Sequence, residues 1–174
     1  DPDKIEEKLK NDSSIKAIIP VHIAGNICNM EKICAIAKKY EVYVIEDSAH
    51  AFPAKSKDGW AGTFGDVGVF SFYATKTITT AEGGMVVTSN PELAKRMTTM
   101  RLHGIDRPVW DRYTSKKASW EYDVIDAGFK FNMPDILAAI GIEQLKKADM
   151  FLEQRKKIIE KYNKEFSKYD YFIL

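Results

Sequence analysis

Between Ala17 and Ile45 the hydrophobic pattern changes period twice, and that change restricts the fold more than any other feature of the chain. Ala17-Ile18-Ile19-Pro20-Val21 reads as a buried strand, with His22 at its end and Gly25 in the loop that follows. Asn29 is placed to cap a helix, and Glu31 suits the positive end of its dipole. Ile33, Cys34 and Ala37 give that helix an apolar stripe, and it is expected to end near Tyr40. Val42 to Ile45 is the next strand, and it delivers Glu46-Asp47-Ser48-Ala49-His50. Strand, helix and strand at this spacing form a βαβ unit, which requires parallel pairing and predicts an α/β fold.

In sheets of this kind working residues collect beyond the carboxyl ends of the strands. Asp47 and His50 occupy one such end. A second lies after the apolar, aromatic run Val69-Phe70-Ser71-Phe72-Tyr73, which reads as another buried strand and is followed by Lys76. A lysine just past a buried strand sheds part of its hydration, which favours the neutral amine and makes it a candidate for imine chemistry with a carbonyl. Spacing alone fits an ordinary surface lysine at least as well. Asp47 could equally be a helix cap or an ion-pair partner, and His50 a structural histidine. Gly62, Gly65 and Gly68 supply the turns before the central strand, but no helix follows them, so they are not a dinucleotide fingerprint.

Elsewhere, Asp1 to Lys10 reads as a short amphipathic helix. Asn90-Pro91-Glu92 starts a helix running to about Leu102, with Leu93, Ala94, Met97 and Met100 on its buried face. Arg107 to Trp120 is a polar and aromatic loop, a candidate substrate or subunit contact. From Pro134 the chain reads as helical to about Tyr169, too long for one ordinary helix, so a break is expected near Lys147 to Met150. A net charge of +1 gives no reason to expect nucleic acid or an anionic membrane as partner. No apolar run is long enough to span a bilayer, and the opening residues lack the pattern of a secretory leader. Cys28 and Cys34 have neither a disulfide framework nor metal-ligand company, and the three histidines lie far apart, so no metal is expected and a cytoplasmic location is.

Taken together, the motifs are Pro20-Val21-His22 with Gly25, Glu46-Asp47-Ser48-Ala49-His50-Ala51, Gly65-Asp66, and Phe70-Ser71-Phe72 with Lys76. Glu82-Gly83-Gly84-Met85, Arg101 with His103-Gly104, and Gly128-Phe129-Lys130-Phe131-Asn132-Met133 leading to Asp135 and Ala138-Ala139 complete the set. In order and spacing this closely resembles the sugar aminotransferases of the DegT/DnrJ/EryC1/StrS family, from about Ala17 to Tyr162. The resemblance implies the central part of the large domain of a fold-type I transferase using pyridoxal 5′-phosphate (PLP). A mostly parallel sheet flanked by helices would fill residues 1–148, and 149–174 would begin the small C-terminal domain.

The resemblance also assigns roles. Lys76 stands where the family's lysine holds the cofactor aldehyde as an imine and later moves the proton between substrate and cofactor carbons. Asp47 matches the carboxylate that keeps the pyridine nitrogen protonated. His50 falls where a side chain, often glutamine, lies beside the ring and its 3′ oxygen, and Ser71 matches a hydroxyl on the cofactor phosphate. Lys130 replaces an asparagine that reaches the phosphate of the neighbouring subunit's cofactor. The implied reaction moves an amino group from an amino acid, with glutamate as the expected donor, to a nucleotide-linked keto sugar in a homodimer with shared active sites. Ala81 replaces a frequent glycine, and alanine is strained there if the position needs a positive φ. Family chains are roughly twice as long, so this segment is expected to be a central fragment, self-associated and inactive alone. Two alternatives remain open at this point: a PLP-dependent sugar dehydratase, which carries histidine at the lysine position, and a non-catalytic relative.

Overall fold

The computed structural model describes residues 1–106 and 121–171; the Arg107 to Trp120 loop lies outside them. Four strands form one sheet in the order β1 (Ala17–Ile18), β2 (Tyr43–Asp47), β3 (Val67–Ser71) and β4 (Gly84–Val87). β1, β2 and β3 pair in parallel, whereas β4 returns antiparallel to β3. The sheet is therefore mostly parallel, as the βαβ spacing requires.

The first two helices, α1 (Pro2–Asn11) and α2 (Met30–Lys39), pack together beside β1 and β2. Asp1 caps α1 by accepting from the Asp3 N–H, and Asn29 caps α2 by accepting from the Lys32 N–H. Met30, Ile33, Ile36 and Ala37 fall three and four apart on one face of α2. With Leu9, Ile18 and Val44 they form the core cluster. Each such side chain, fully buried, contributes on the order of 2 kcal/mol.

The segment expected as a buried strand from Ala17 to Val21 is shorter and more open. Regular pairing ends at Ile18, and Ile19 and Val21 are 62% and 46% exposed. Pro20 has no N–H for a ladder, but its carbonyl accepts from the Asp47 N–H at 2.9 Å, and Val21 bridges Asp47. β2 runs on to Asp47, two residues beyond the expected end. Gly68 serves packing rather than a turn: it lies inside β3, and a Cβ there would stand 2.1 Å from the Gly62 carbonyl oxygen. Gly62 itself has φ +84°, so this contact needs glycine at both positions.

α3 (Pro91–Met100) is capped by Asn90, whose side chain accepts from the Glu92 and Leu93 N–H groups. It stops short of Leu102, and none of its residues is fully buried. After it, Leu102 bridges Lys130 and Ile105 bridges Val124. α4 (Asp135–Leu145) and α5 (Ala148–Phe166) are separated at Lys146 and Lys147, just ahead of the expected break. Among the described residues no helix is long and apolar enough to cross a membrane.

Candidate active site at the ends of β2 and β3

Of the polar residues singled out in the sequence, Asp47, His50, Ser71 and Lys76 lie at or just past the ends of β2 and β3, which are parallel neighbours. Asp47 closes β2 and is paired in register with Val69, two residues before Ser71 closes β3. The Asp47 carboxylate accepts from the Ala49 N–H at 3.0 Å through Oδ1, and Oδ2 has no partner among the described residues. Its backbone is held from both sides: its N–H donates to Pro20, and its carbonyl accepts from the His22 N–H at 3.0 Å. Ser71 Oγ accepts from the Tyr73 N–H at 3.3 Å. His50, at the turn after β2, is exposed.

Lys76 rides on the loop from Phe72 to Gly83, which joins β3 to β4. Two backbone hydrogen bonds close the neck of this loop, Phe72 N–H to Gly83 at 2.8 Å and Thr80 N–H to Phe72 at 2.9 Å. The Lys76 N–H donates to Tyr73, its side chain is half-buried, and its amine has no partner among the described residues. Side chains of the last two helices grip the same loop. Gln144 of α4 accepts from the Thr79 N–H, and Arg155 of α5 donates to the Thr77 carbonyl, each at 3.3 Å.

Ala81 has φ 67°, the left-handed conformation that its replacement of glycine made a concern. An L-residue there costs roughly 1–2 kcal/mol, partly offset in glycine by its freer unfolded chain. Ala81→Gly is therefore expected to stabilise the protein by roughly 1 kcal/mol, reversing the usual sign of an alanine-to-glycine change. The midpoint of urea unfolding reads this directly, and a fall in that midpoint would refute it.

Lys130 comes from a different segment of the chain, far along the sequence from the other four residues. It is exposed on the bridge to Leu102, and its amine donates to Asn132 Oδ1. It makes no hydrogen bond or ion pair with Asp47, His50, Ser71 or Lys76. An apolar cavity of about 380 Å³ lies between Phe52, Phe70 and Phe72 on one side and α4 on the other. Its lining includes no charged side chain.

Among the residues of the quoted motifs that gained no role from the sequence, His22 and Glu46 are both completely buried and hydrogen-bonded to each other at 2.9 Å. Strand parity carried the signal. Val44, Glu46 and Ser48 share one face of β2, and a carboxylate among buried neighbours demands donors. Glu46 finds four: His22 Nε2 and the Gly62 N–H on Oε2, the Phe64 and Gly65 N–H groups on Oε1. Burial pushes the Cys34 thiol up, with the Glu46 and Asp66 charges adding to the effect. Ser48 Oγ is buried without a hydrogen-bond partner in the same region. No group of three or more potential metal-ligating side chains occurs among the described residues.

Solved structures that share the fold of this mostly parallel α/β sheet include aminotransferases of sugar metabolism. The chain belongs to the DegT/DnrJ/EryC1/StrS aminotransferase family, whose sequence model matches residues 1–174. It is 55% identical over 87% of its length to the uncharacterized protein MJ1066 of Methanocaldococcus jannaschii, covering 39% of that protein. It is 40% identical over 99% of its length to the UDP-4-amino-4,6-dideoxy-N-acetyl-beta-L-altrosamine transaminase of Campylobacter jejuni, covering 44% of it. Among solved structures, Spr1654 of Streptococcus pneumoniae in its PMP-form superposes with a TM-score of 0.84 at 31% identity, over 95% of this chain and 46% of that one. Spr1654 has also been solved in a PLP-form. The chain thus spans about two fifths of the length of the curated relatives it matches.

The donor set fits PLP. An aldehyde calls for a primary amine, a pyridinium for a carboxylate and a phosphate for hydroxyl and cationic donors. Lys76, Asp47 and Ser71 are of those types, and the first two have unused hydrogen-bonding atoms at the same sheet edge.

Proposed function

We propose that the whole protein carrying this chain is a PLP-dependent aminotransferase. It moves an amino group from an amino acid, glutamate, to a keto sugar carried on a nucleotide, in the synthesis of deoxyamino sugars for cell-surface polysaccharide. The observation that carries this reading is the junction of β2 and β3, where Asp47 lies in register beside the strand that leads through Ser71 to Lys76. Bound there, PLP supplies a sink for the electrons left behind when a proton leaves the amine-bearing carbon.

The chain's own groups account for the rest. Lys76 anchors the aldehyde through its amine and, once released, takes a proton and returns it one carbon away. Asp47 presents its free oxygen to the ring nitrogen and favours the protonated ring. His50 and Ser71 would help hold the cofactor, His50 at its ring and the Ser71 hydroxyl at its phosphate. Lys130 reaches the phosphate of a partner subunit's cofactor. Its exposure supports that reading, as do the uncovered Phe129 and Phe131 beside it. The active unit is then a homodimer with shared sites in the cytoplasm. Residues 1–148 belong to the cofactor domain and 149–174 to the small domain.

Incubating the whole protein with PLP, glutamate and a 4-keto nucleotide sugar tests this. Equal amounts of 2-oxoglutarate and aminated nucleotide sugar are expected by mass spectrometry. Loss of water from the sugar without amino transfer would instead mark a dehydratase, and no turnover with any amino donor would overturn the assignment.

A further inference from the structure

Glu46 and Asp47 are consecutive residues of β2, so their side chains leave opposite faces of the strand. Asp47 faces the proposed cofactor, while Glu46 points into the layer behind, where it is completely buried. We infer that Glu46 and His22 form a positioning pair that fixes the Asp47 carboxylate from behind the strand. The inference rests on the role proposed for Asp47.

The connection can be followed bond by bond. His22 is held at both ring nitrogens. Nδ1 accepts from the Cys28 N–H at 3.2 Å, so the ring proton belongs to Nε2, which donates to Glu46 at 2.9 Å. With its ring locked, the His22 backbone N–H points at the Asp47 carbonyl and bonds it at 3.0 Å. Asp47 in turn donates to Pro20, two residues before His22. The Pro20 to His22 segment therefore closes on Asp47 from both sides, even though regular β1 pairing has already ended at Ile18. The second oxygen of Glu46 accepts from Phe64 and Gly65 at 2.7 and 2.6 Å. These bonds tie the loop that lies over Gly68, the β3 residue paired with Glu46 itself. One carboxylate thus joins the end of β2 to the segment on its one side and the loop over its other neighbour.

Glu46→Gln is the informative change because it keeps shape and removes one acceptor. Both carboxylate oxygens accept two hydrogens, so whichever way the new amide turns, its NH₂ faces two N–H donors. The local structure must shift, and shifts of about 1 Å at a reacting centre reach 10²-fold in rate.

The test is a double-mutant cycle on the whole protein with Glu46→Gln, Asp47→Ala and both together. Three quantities are read: kcat, KM for the amino donor, and the pH midpoint of the visible absorption of bound PLP. Thermal unfolding without PLP records any general loss of stability. Glu46→Gln is expected to lower kcat on the order of 10- to 100-fold with little change in KM. It should move the spectral midpoint in the same direction as Asp47→Ala. In the Asp47→Ala background it should add almost nothing, because the group it positions is gone. A full, multiplicative loss in both backgrounds, or an unmoved midpoint, overturns the positioning role and leaves Asp47 standing. An Asp47→Ala protein of undiminished rate overturns the role of Asp47 first. Should Glu46→Gln fail to fold, His22→Ala replaces it in the same cycle, since Glu46 then keeps three backbone donors.

Discussion

Lys76→Ala is expected to remove the covalent attachment of PLP. In the whole protein, borohydride treatment in the presence of PLP is expected to leave the reduced cofactor on the peptide containing Lys76, its mass less the water lost on condensation and plus the two hydrogens of reduction. The alanine variant should show neither that adduct nor the visible absorption of lysine-bound cofactor. Amino transfer falls by 10²- to 10⁴-fold from the lost proton transfer alone, as is typical when a positioned acid–base group is removed. Lys76→Arg fails in the same way, because a guanidinium stays protonated and cannot condense with an aldehyde. The fold itself should be little affected, since the amine has no partner among the described residues. An adduct of undiminished yield in Lys76→Ala would place the attachment on another residue and end the assignment.

Asp47→Ala should separate binding from catalysis. Attachment through Lys76 survives, while amino transfer falls about 10²- to 10³-fold, the range seen when one preorganised electrostatic partner is removed. The carboxylate's only hydrogen bond among the described residues is the local one from Ala49, so the loss of stability should be modest, about 1 kcal/mol. Asp47→Asn sharpens the result, because an amide keeps the size without the charge. A variant that binds PLP and turns over near the parent rate would leave Asp47 as a cap for the turn after β2.

The parts of this fold that were legible in the sequence are those where one short-range rule decides. Asn29 and Asn90 cap the helices expected of them, because a side-chain oxygen beside free N–H groups is a local matter. The parallel pairing of β1 and β2 followed from the change of hydrophobic period. Ile19 and Val21 were misleading. An apolar residue reports what would be favourable to cover, while cover itself depends on what else packs there. Gly68 was misread as a turn because the constraint comes from Gly62 across the loop, a contact that no local pattern announces. At the site, Asp47, Ser71 and Lys76 were legible as strand-end residues. The grip of Gln144 and Arg155 on the Lys76 loop was not, since 65 and 78 positions separate the partners. Glu46 fell between these cases. Strand parity would have marked it as buried had the strand been read past Ile45, but its donors come from two distant segments.

The closed neck of the Phe72 to Gly83 loop would set the gauge of the proposed reaction centre. With both ends clasped by hydrogen bonds to Phe72 and Gly83, the contour between them is a fixed length that carries the amine out to one point. One residue more or less in that contour would displace the amine by roughly 3.3 Å, a whole extended-chain step. Reacting atoms must meet at about 3 Å, so the flexible four-carbon stem of Lys76 would have to take up the whole of such an error. Over evolutionary time this loop can therefore exchange side chains far more freely than it can change length. The clasp behaves as a ruler, and the chemistry is tuned by what is hung on it.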